Sequence, residues 1–353
     1  MSHALHSQVQ DAISRWLSSG NKCGLTTVDR GHVVLGSVLG NRQENQDRTL
    51  FFQVRFEDNR KPPMFALVLC DGMGGMQEGG DCANLAISSF TATLIHSNEK
   101  SLSQKLSAAV DIANKTVYKH FQGKGGSTLS SIACQNHEWA IVNVGDSRIY
   151  AVYDEKPIEQ LTTDDTLEEQ LAELRLKAPP PEFRQLLQFV GMGDGIEPTT
   201  SIVRTENLKF ILLTSDGAHS IPQKVFQEII QNAKSITEIV DRLTRISVWL
   251  GGKDNATISA ISINSLSNQL NSKKEDSRLE VWSLPGKTDF FTIKVSDSLP
   301  SHQNEVQSTD INKEKNTRKP NKQRKQKSSL ENQKKQDKPQ LKIEFTEEVA
   351  IND

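Results

Sequence analysis

The stretch of sequence that decides the fold is FALVLCDGMGG, which occupies residues 65–75. Its first six residues are apolar or small, which predicts a buried β-strand. Asp71 and Gly72 follow directly, and an Asp-Gly pair at the end of a strand is most often only a turn. The stretch by itself therefore predicts a strand and a turn, and any further role of the Asp71 carboxylate depends on the rest of the chain.

Four further carboxylates also stand where an apolar run meets a polar segment. They are Asp47, Asp146, Asp216 and Asp254. If the strands pack side by side, such carboxylates converge at one edge, where they repel one another unless a cation neutralises them. All-oxygen ligation suits Mg²⁺ or Mn²⁺ rather than zinc or copper. The repeated pattern therefore predicts a divalent metal site at a sheet edge.

Two neighbouring residues extend this hypothesis to phosphate chemistry. Gly72 lets the backbone approach a ligand closely, so its carbonyl is a further candidate metal ligand. Arg42 lies five residues before Asp47, and a guanidinium binds phosphate through two parallel hydrogen bonds. Two metal ions held together would acidify a shared water for in-line attack on phosphorus. The alternative for Arg42 is an ordinary surface arginine in a polar loop.

The order of the apolar patterns favours the α+β class. Strand-like runs cluster as hairpin neighbours, and helical stripes precede and follow them, which does not suit a regular βαβ winding. One folded domain is predicted at 30–264, after an N-terminal helical extension at 1–29. Within this domain, an insertion at about 164–200 is expected to contain a short helix opened at Thr166 and a second short helix at 182–189.

Residues 265–353 differ in character from the domain before them. A hairpin is predicted within 265–300, and 301–353 is a low-complexity, Lys-rich segment. Between residues 311 and 342 there are twelve Lys or Arg residues and three Asp or Glu residues, a composition that favours a disordered tail. The alternative is a basic arm that contacts an acidic partner or nucleic acid, although it lacks the interleaved aromatic residues that stack on bases.

The composition argues against several function classes. The four cysteines form no CxxC pair, which argues against a zinc site built on paired cysteines and suits a reducing compartment. No charged N-terminal segment leads into an apolar run, so no secretory signal is expected. No apolar run approaches the roughly 20 residues of a membrane span. We therefore expect a soluble, cytoplasmic protein with no membrane partner.

Seven short motifs occur in an order that is specific, although each motif alone is weak. Together they resemble the type 2C, or PPM, family of metal-dependent Ser/Thr protein phosphatases, in its bacterial type. The resemblance covers about residues 30–263. The motifs are Arg42-x-x-Asn45-Gln46-Asp47, Asp71-Gly72-Met73-Gly74-Gly75, Gly126-Ser127-Thr128, Val144-Gly145-Asp146-Ser147-Arg148, Leu161-Thr162-Thr163-Asp164, Ser215-Asp216-Gly217 and Asp254-Asn255.

The resemblance implies a fold and a reaction. The fold is a four-layer α-β-β-α sandwich of two antiparallel sheets flanked by helices. The reaction is hydrolysis of phosphoserine and phosphothreonine in proteins, and the substrates would be phosphoproteins of a cognate Ser/Thr kinase. The implied cofactors are two Mn²⁺ or Mg²⁺ ions, with a third, weaker ion in bacterial members. The insertion at 164–200 corresponds to the flap beside the active site, which is thought to affect substrate choice.

The resemblance also assigns a role to each candidate residue. The ligands of the two ions would be Asp71, which bridges them, the Gly72 carbonyl, Asp216 and Asp254. Asp47 would hold a metal-bound water, and Arg42 would bind the phosphate. Asp146 would hold the third ion together with Asp216.

Two positions depart from the family pattern. Some members have a histidine in place of Met73, where it is proposed to protonate the leaving group. Because Met73 cannot donate a proton, a metal-bound water would have to do so. Members also commonly have a histidine in place of Asp165, which bears on the contacts of the flap. His219, three residues after Asp216, is interpreted as a structural histidine.

A second hypothesis is a pseudophosphatase that binds phosphoproteins as a regulatory module without hydrolysing them. Loss of catalysis usually shows as replaced metal ligands, and Asp71, Asp216 and Asp254 are all present. This favours the active enzyme. No covalent intermediate is expected, because Cys70 lies within the predicted strand and no anion-binding loop follows it.

Overall fold

The computed structural model of the protein contains both β-strands and α-helices. The described residues are 2–56, 61–73, 78–154, 158–171, 185–263, 278–284, 286–291 and 343–344. The elements up to residue 135 are α1 (Ser2–Ser19), β1 (Gly24–Val28), β2 (Val33–Val38), β3 (Arg48–Arg55), β4 (Met64–Cys70), β5 (Gly72–Met73), α2 (Gly79–His96), α3 (Leu102–Phe121), β6 (Gly126–Ser127) and β7 (Leu129–Gln135). The later elements are β8 (Glu138–Val144), β9 (Arg148–Tyr153), β10 (Glu159–Gln160), α4 (Leu167–Gln170), β11 (Thr199–Ile202), β12 (Leu208–Thr214), α5 (Asp216–His219), α6 (Gln223–Asn232), α7 (Ile236–Trp249), β13 (Ala256–Ser262), β14 (Arg278–Ser283), β15 (Gly286–Phe291) and β16 (Ile343–Glu344).

Two antiparallel sheets pack face to face, and helices cover their outer faces. The first sheet has the strand order β1-β2-β13-β12-β9-β10, and the second has the order β11-β8-β7-β4-β3-β14-β15-β16. On β2, Val33 and Leu35 lie in the core between the sheets, whereas Val34 lies in the core beneath α5, α6 and α7. This alternation follows from the two-residue period of a strand. The predicted α+β sandwich of four layers is confirmed.

The opening stretch of the sequence becomes β4, a central strand of the second sheet. Phe65, Leu67 and Leu69 lie in the core between the sheets, and Ala66 and Val68 are buried on the opposite face. Helix α2 packs over that opposite face. Because both faces of β4 are covered, the strand has a continuous apolar run rather than an alternating pattern.

The predicted helical extension at 1–29 is wrong for its last part. Within this range the α-helix covers only Ser2–Ser19, Gly24–Val28 forms β1 at the edge of the first sheet, antiparallel to β2, and a short 3₁₀ helix follows at Asp29–Gly31. Thr26, Thr27 and Val28 are β-branched, so pairing with β2 suits them better than a helix.

The start of the insertion agrees with the prediction, and its later part does not. Thr166 Oγ1 accepts a hydrogen bond from the Glu169 N–H at 3.2 Å and opens α4. Residues 185–189, however, are not helical, and 182–184 lie outside the described residues. Leu186 pairs with Thr166, and Val190 pairs with Ser127, so tertiary pairing decides this conformation.

The chain beyond the domain extends the second sheet. Strands β14 and β15 form a hairpin, and β14 pairs with β3. Leu279 and Val281 are buried, and the Trp282 ring lies 5.5 Å from that of Phe51. The predicted disordered tail lies outside the described residues except for 343–344, which pair with β15. Among the described helices, none combines the length and apolar character needed to cross a membrane.

Candidate active site

Three of the five candidate carboxylates lie at one edge of the first sheet. Thr214, the last residue of β12, pairs with Ile258 of β13 and with Arg148, the first residue of β9. The loops that follow β12 and precede β13 and β9 therefore meet at the same edge. The carboxylates carried by these loops and by the start of α5 are Asp146, Asp216 and Asp254.

The second sheet brings Asp47 and Asp71 to the same place. The first residue of β3 pairs with the last residue of β4, so the residue before one strand and the residue after the other are close. Hydrogen bonds then join the two sheets, because Ser215 Oγ and Thr257 Oγ1 donate to Asp47 Oδ2 at 2.8 and 2.6 Å. The structure thus brings together the edges that carry all five carboxylates.

A buried chain of polar side chains fixes Asp47. Asn45 Oδ1 accepts a hydrogen bond from the Asp47 N–H at 3.0 Å, and Asn45 Nδ2 donates to Ser37 Oγ at 2.7 Å. Ser37 Oγ lies 2.7 Å from Thr257 Oγ1, which closes the ring back to the carboxylate. We call the Asp47 corner the set of residues Ser37, Asn45, Asp47, Arg48, Ser215 and Thr257.

Arg48 connects the Asp47 corner to helices α2 and α1. Its guanidinium is buried and donates Nη1 to the carbonyl oxygens of Asn45 and Asp47 at 2.7 and 2.8 Å. Its Nε donates to Asn84 Oδ1 on α2 at 2.6 Å, and Asn84 Nδ2 donates to Ser18 Oγ on α1 at 3.1 Å. The corner is therefore connected to the N-terminal helix through an unbroken series of hydrogen bonds.

The Asp71 backbone is held by the loop that enters β7. Thr128 Oγ1 accepts a hydrogen bond from the Asp71 N–H at 2.9 Å, and the Asp71 carbonyl accepts from the Thr128 N–H at 2.8 Å. Ser127 Oγ donates to the same carbonyl at 3.0 Å. A Cβ on Gly72 would collide with the carbonyl oxygen of Gly79, so only glycine fits at this close backbone approach.

Burial and the charges of neighbouring carboxylates raise the pKa of Asp47, Asp71 and Asp146. Burial raises the pKa of Asp71 well above its usual value, and the charges of Asp47, Asp216, Asp146 and Asp254 raise it further. Burial raises the pKa of Asp47 to about 6, and burial followed by the Asp216 charge raises that of Asp146 to about 7. Asp47 Oδ1 is buried and accepts no hydrogen bond from the described residues. A divalent cation would relieve the repulsion, so this donor set fits Mn²⁺ or Mg²⁺.

The five carboxylates do not surround a single point. Within the described ranges, no group of three or more Asp, Glu, His or Cys side chains has a ready metal-ligating geometry. Arg42 Nη2 lies 2.6 Å from Asp254 Oδ2, and the two side chains are 54% and 33% exposed. We call this ion pair the Arg42–Asp254 rim. Asp254 would have to exchange the guanidinium for a cation to act as a ligand.

An open cleft of about 810 Å³ lies over the carboxylates of the first sheet. Asp146, Asp216 and Asp254 line it, whereas Asp47 is only 1% exposed. The lining also includes Arg148, Lys253 and the Glu168–Glu169 pair of α4. The cleft is thus a polar, charged entrance that can admit a phosphorylated group.

Asp165 holds part of the insertion in place through its hydrogen bonds. Asp165 Oδ2 accepts a hydrogen bond from the Gly145 N–H at 2.8 Å, and Oδ1 accepts from Gln188 Nε2 at 3.2 Å. The Leu187 N–H donates to the Asp165 carbonyl at 2.7 Å. Asp165 therefore ties the loop of Asp146 to Gln188 through its carboxylate and to Leu187 through its backbone carbonyl.

His219 and Cys70 are both uncharged side chains near the candidate carboxylates. Burial, followed by the charge of Arg148, lowers the pKa of His219 to about 3, so the ring is neutral near pH 7. Its Nδ1 lies 3.1 Å from Thr214 Oγ1. Cys70 is fully buried, and burial raises the pKa of its thiol, which keeps it protonated.

Sequence reasoning missed the hydroxyl groups and the arginine that hold Asp47. Ser215 and Thr257 stand inside or beside apolar strands, where a hydroxyl is expected to need a buried partner. Arg48 stands directly after the first motif, at the start of a strand that is almost wholly buried. Because a buried arginine requires several hydrogen-bond acceptors, an arginine at this position could have indicated a buried hydrogen-bond network.

Comparison with known proteins identifies the family. The family model of protein phosphatase 2C matches residues 37–252, which is more than half of the chain. Protein phosphatase PhpP of Streptococcus pneumoniae is 25% identical over 211 residues, covering 56% of this chain and 85% of that protein.

Solved structures agree with this assignment. Serine/threonine phosphatase Stp1 from Staphylococcus aureus has a TM-score of 0.58 at 22% identity, covering 69% of this chain and 98% of that one, and supports the fold. The catalytic domain of the serine threonine protein phosphatase PstP in complex with two manganese ions has a TM-score of 0.53 at 26% identity, covering 66% of this chain and 98% of that one. The chain therefore belongs to the protein phosphatase 2C family of metal-dependent serine/threonine protein phosphatases.

Proposed function

We propose that this chain hydrolyses phosphoserine and phosphothreonine in proteins, using water activated at two Mn²⁺ or Mg²⁺ ions. The observation that carries the proposal is the convergence of carboxylates on Asp71, whose pKa is raised by burial and then by four neighbouring carboxylates. Such repulsion costs stability unless cations offset it. The two manganese ions bound by PstP support the choice of metal.

Carboxylate and carbonyl oxygens supply the candidate ligands of the proposed ions. The two main ions would be held by Asp71, the Gly72 carbonyl, Asp216 and Asp254. Asp146, which lines the cleft beside Asp216, would hold a third, weaker ion with it. When bound, the ions would acidify a water molecule and neutralise charge that develops on the phosphate.

The chain's own side chains would position the water and the substrate. Asp47 Oδ2 is held by two hydroxyl groups, which leaves Oδ1 to accept a hydrogen bond from a water. Arg42 is half exposed at the rim and would exchange Asp254 for the two oxygens of a phosphate. Met73 carries no dissociable proton, so the proton for the leaving group would come from water rather than from this side chain.

The substrates would be phosphoproteins made by a Ser/Thr kinase. PhpP and PstP are named as protein phosphatases, which supports a protein rather than a small-molecule substrate. The contact of the basic tail with an acidic partner stays a prediction, because that segment lies outside the described residues.

The test uses the full chain with a phosphoserine peptide, a phosphothreonine peptide and an aryl phosphate. We expect hydrolysis of all three with Mn²⁺, and a loss of at least about 100-fold with chelator or in Asp71→Asn, since each removes several kcal/mol of transition-state stabilisation. Asp11→Asn is the matched control, because Asp11 is exposed on α1.

Two results would overturn parts of the proposal. Full activity in chelator would exclude the two-metal mechanism. Binding of the phosphopeptides without hydrolysis in any metal would establish the pseudophosphatase instead.

A further inference from the structure

A second cleft, of about 470 Å³, opens beside the polar cleft. Asp146 lines both of them, so the two spaces adjoin at a candidate metal ligand. Among its described lining residues, only Asp146 and Lys124 carry charge. Its other lining residues are Met73, Leu186 and Phe189, three glycines and Gln185, so apolar surface predominates here, whereas the first cleft is charged.

One wall belongs to the insertion and is held by backbone hydrogen bonds and close packing. The Ser127 and Val190 backbones exchange two hydrogen bonds of 2.9 and 2.8 Å. Phe189 packs so closely on Gly126 that a Cβ there would collide with the ring. Leu186 and Phe189 are both only partly buried, which leaves apolar surface facing the cleft.

The opposite wall contains Met73, the residue that follows the candidate metal ligand Gly72. Gly72 pairs with Ser127 and Met73 pairs with Gly126, in the small β5–β6 sheet. Met73 is therefore one residue from a candidate metal ligand and also lines the apolar cleft. A methionine side chain is flexible and polarisable, which suits contact with apolar groups of varied shape.

We propose that this cleft is a subsite for a bulky apolar side chain of the substrate, next to the phosphorylated residue. The proposal rests on the proposed function and names the class of sequence that it favours. A peptide whose phosphate lies at the carboxylates advances by about 3.3–3.6 Å per extended residue. A side chain one or two positions away is therefore the part of the substrate that can enter a space adjoining Asp146. Largely apolar walls with few charged groups are typical of a site that selects by shape and apolar contact.

The test compares matched phosphoserine peptides that differ only in having Leu or Ser at one flanking position, scanned on both sides. With Mn²⁺ and wild-type protein, we expect kcat/KM to be at least about 10-fold higher for Leu at one of these positions. In Leu186→Ser the ratio should fall towards one, and in the volume-conserving Leu186→Met it should persist. Because the ratio is taken within each variant, a change in total activity does not affect it.

Leu187→Ser is the matched control. The Leu187 side chain is 40% exposed and does not line the cleft, so the Leu/Ser ratio should stay at the wild-type value. Equal kcat/KM for both peptides at every flanking position would overturn the subsite alone, as would an unchanged ratio in Leu186→Ser. Failure of the wild-type protein to hydrolyse any of the peptides would overturn the proposed function, and the subsite with it.

Discussion

The Asp47 corner and the Arg42–Asp254 rim hold carboxylates of the same candidate site in opposite ways. Asp47 is 1% exposed, and hydroxyl groups from the other sheet fix its Oδ2. Asp254 has a side chain that is 33% exposed and forms an ion pair with Arg42, itself 54% exposed, and its Oδ1 accepts a hydrogen bond from the neighbouring Asn255 N–H. An exposed ion pair contributes at most about 1 kcal/mol to the free energy of unfolding. A buried hydrogen-bond network is harder to rearrange, because each broken bond leaves a buried polar group without a partner. Folding therefore fixes the Asp47 carboxylate in one arrangement, whereas the Asp254 carboxylate can exchange its partner.

The largest expected effect is in the corner. Arg48→Ala should lower the free energy of unfolding by about 3 kcal/mol, because it removes a buried cation and leaves buried acceptors on Asn84, Asn45 and Asp47 without a donor. Urea denaturation of the full chain measures this. Arg15→Ala is the matched control, since Arg15 is exposed and bonds only within α1; its change should stay below about 0.5 kcal/mol. Equal losses in the two variants would show that the corner is not a stabilising network.

A smaller effect is expected when the corner keeps its shape and loses one hydroxyl. Thr257→Val removes the donor to Asp47 Oδ2 and the contact with Ser37. Asp47 would hold a metal-bound water, and groups that orient the surroundings of a metal in this way are typically worth about 10–100-fold in metal affinity. We expect the Mn²⁺ dissociation constant, measured by titration calorimetry, to rise by about 10-fold or more. Thr199→Val, at an exposed strand position, should leave the Mn²⁺ dissociation constant unchanged. A wild-type dissociation constant in Thr257→Val would show that the Asp47 corner does not contribute to metal binding.

The smallest expected effect is at the rim, and it should appear in KM. Arg42→Ala should raise KM for an aryl phosphate by about 10-fold and lower kcat less, because a charge-assisted hydrogen bond to ground-state phosphate is lost. Arg42→Lys should recover part of the loss. Arg245→Ala breaks another exposed ion pair, with Asp241 on α7, and should leave KM unchanged. An unaltered KM in Arg42→Ala would contradict phosphate binding at the rim.

The elements of this site differ in how far the sequence could predict them. The apolar run that became β4 and the carboxylate after it are local patterns, and they predicted a strand that ends at the site. The role of Asp165 was not predictable, because its partners Gly145 and Gln188 come from separate loops. The conformation of 185–189 was wrongly predicted as helical, since pairing with Thr166 and Ser127 overrides local preference there.

The sequence by itself determined the α+β class and the five carboxylates, because periodicity is a property of neighbouring residues. The order of its motifs indicated the family, and the two-sheet architecture followed from that resemblance. Only the tertiary structure decided what holds each carboxylate. Ser215 and Thr257 reach Asp47 across separations of 168 and 210 residues, and no local pattern encodes such a contact. The same holds for the apolar cleft, whose walls come from β5, the loop at 123–126 and the insertion. These features arise from packing one sheet against another and the insertion against both, which brings together side chains that the sequence keeps far apart.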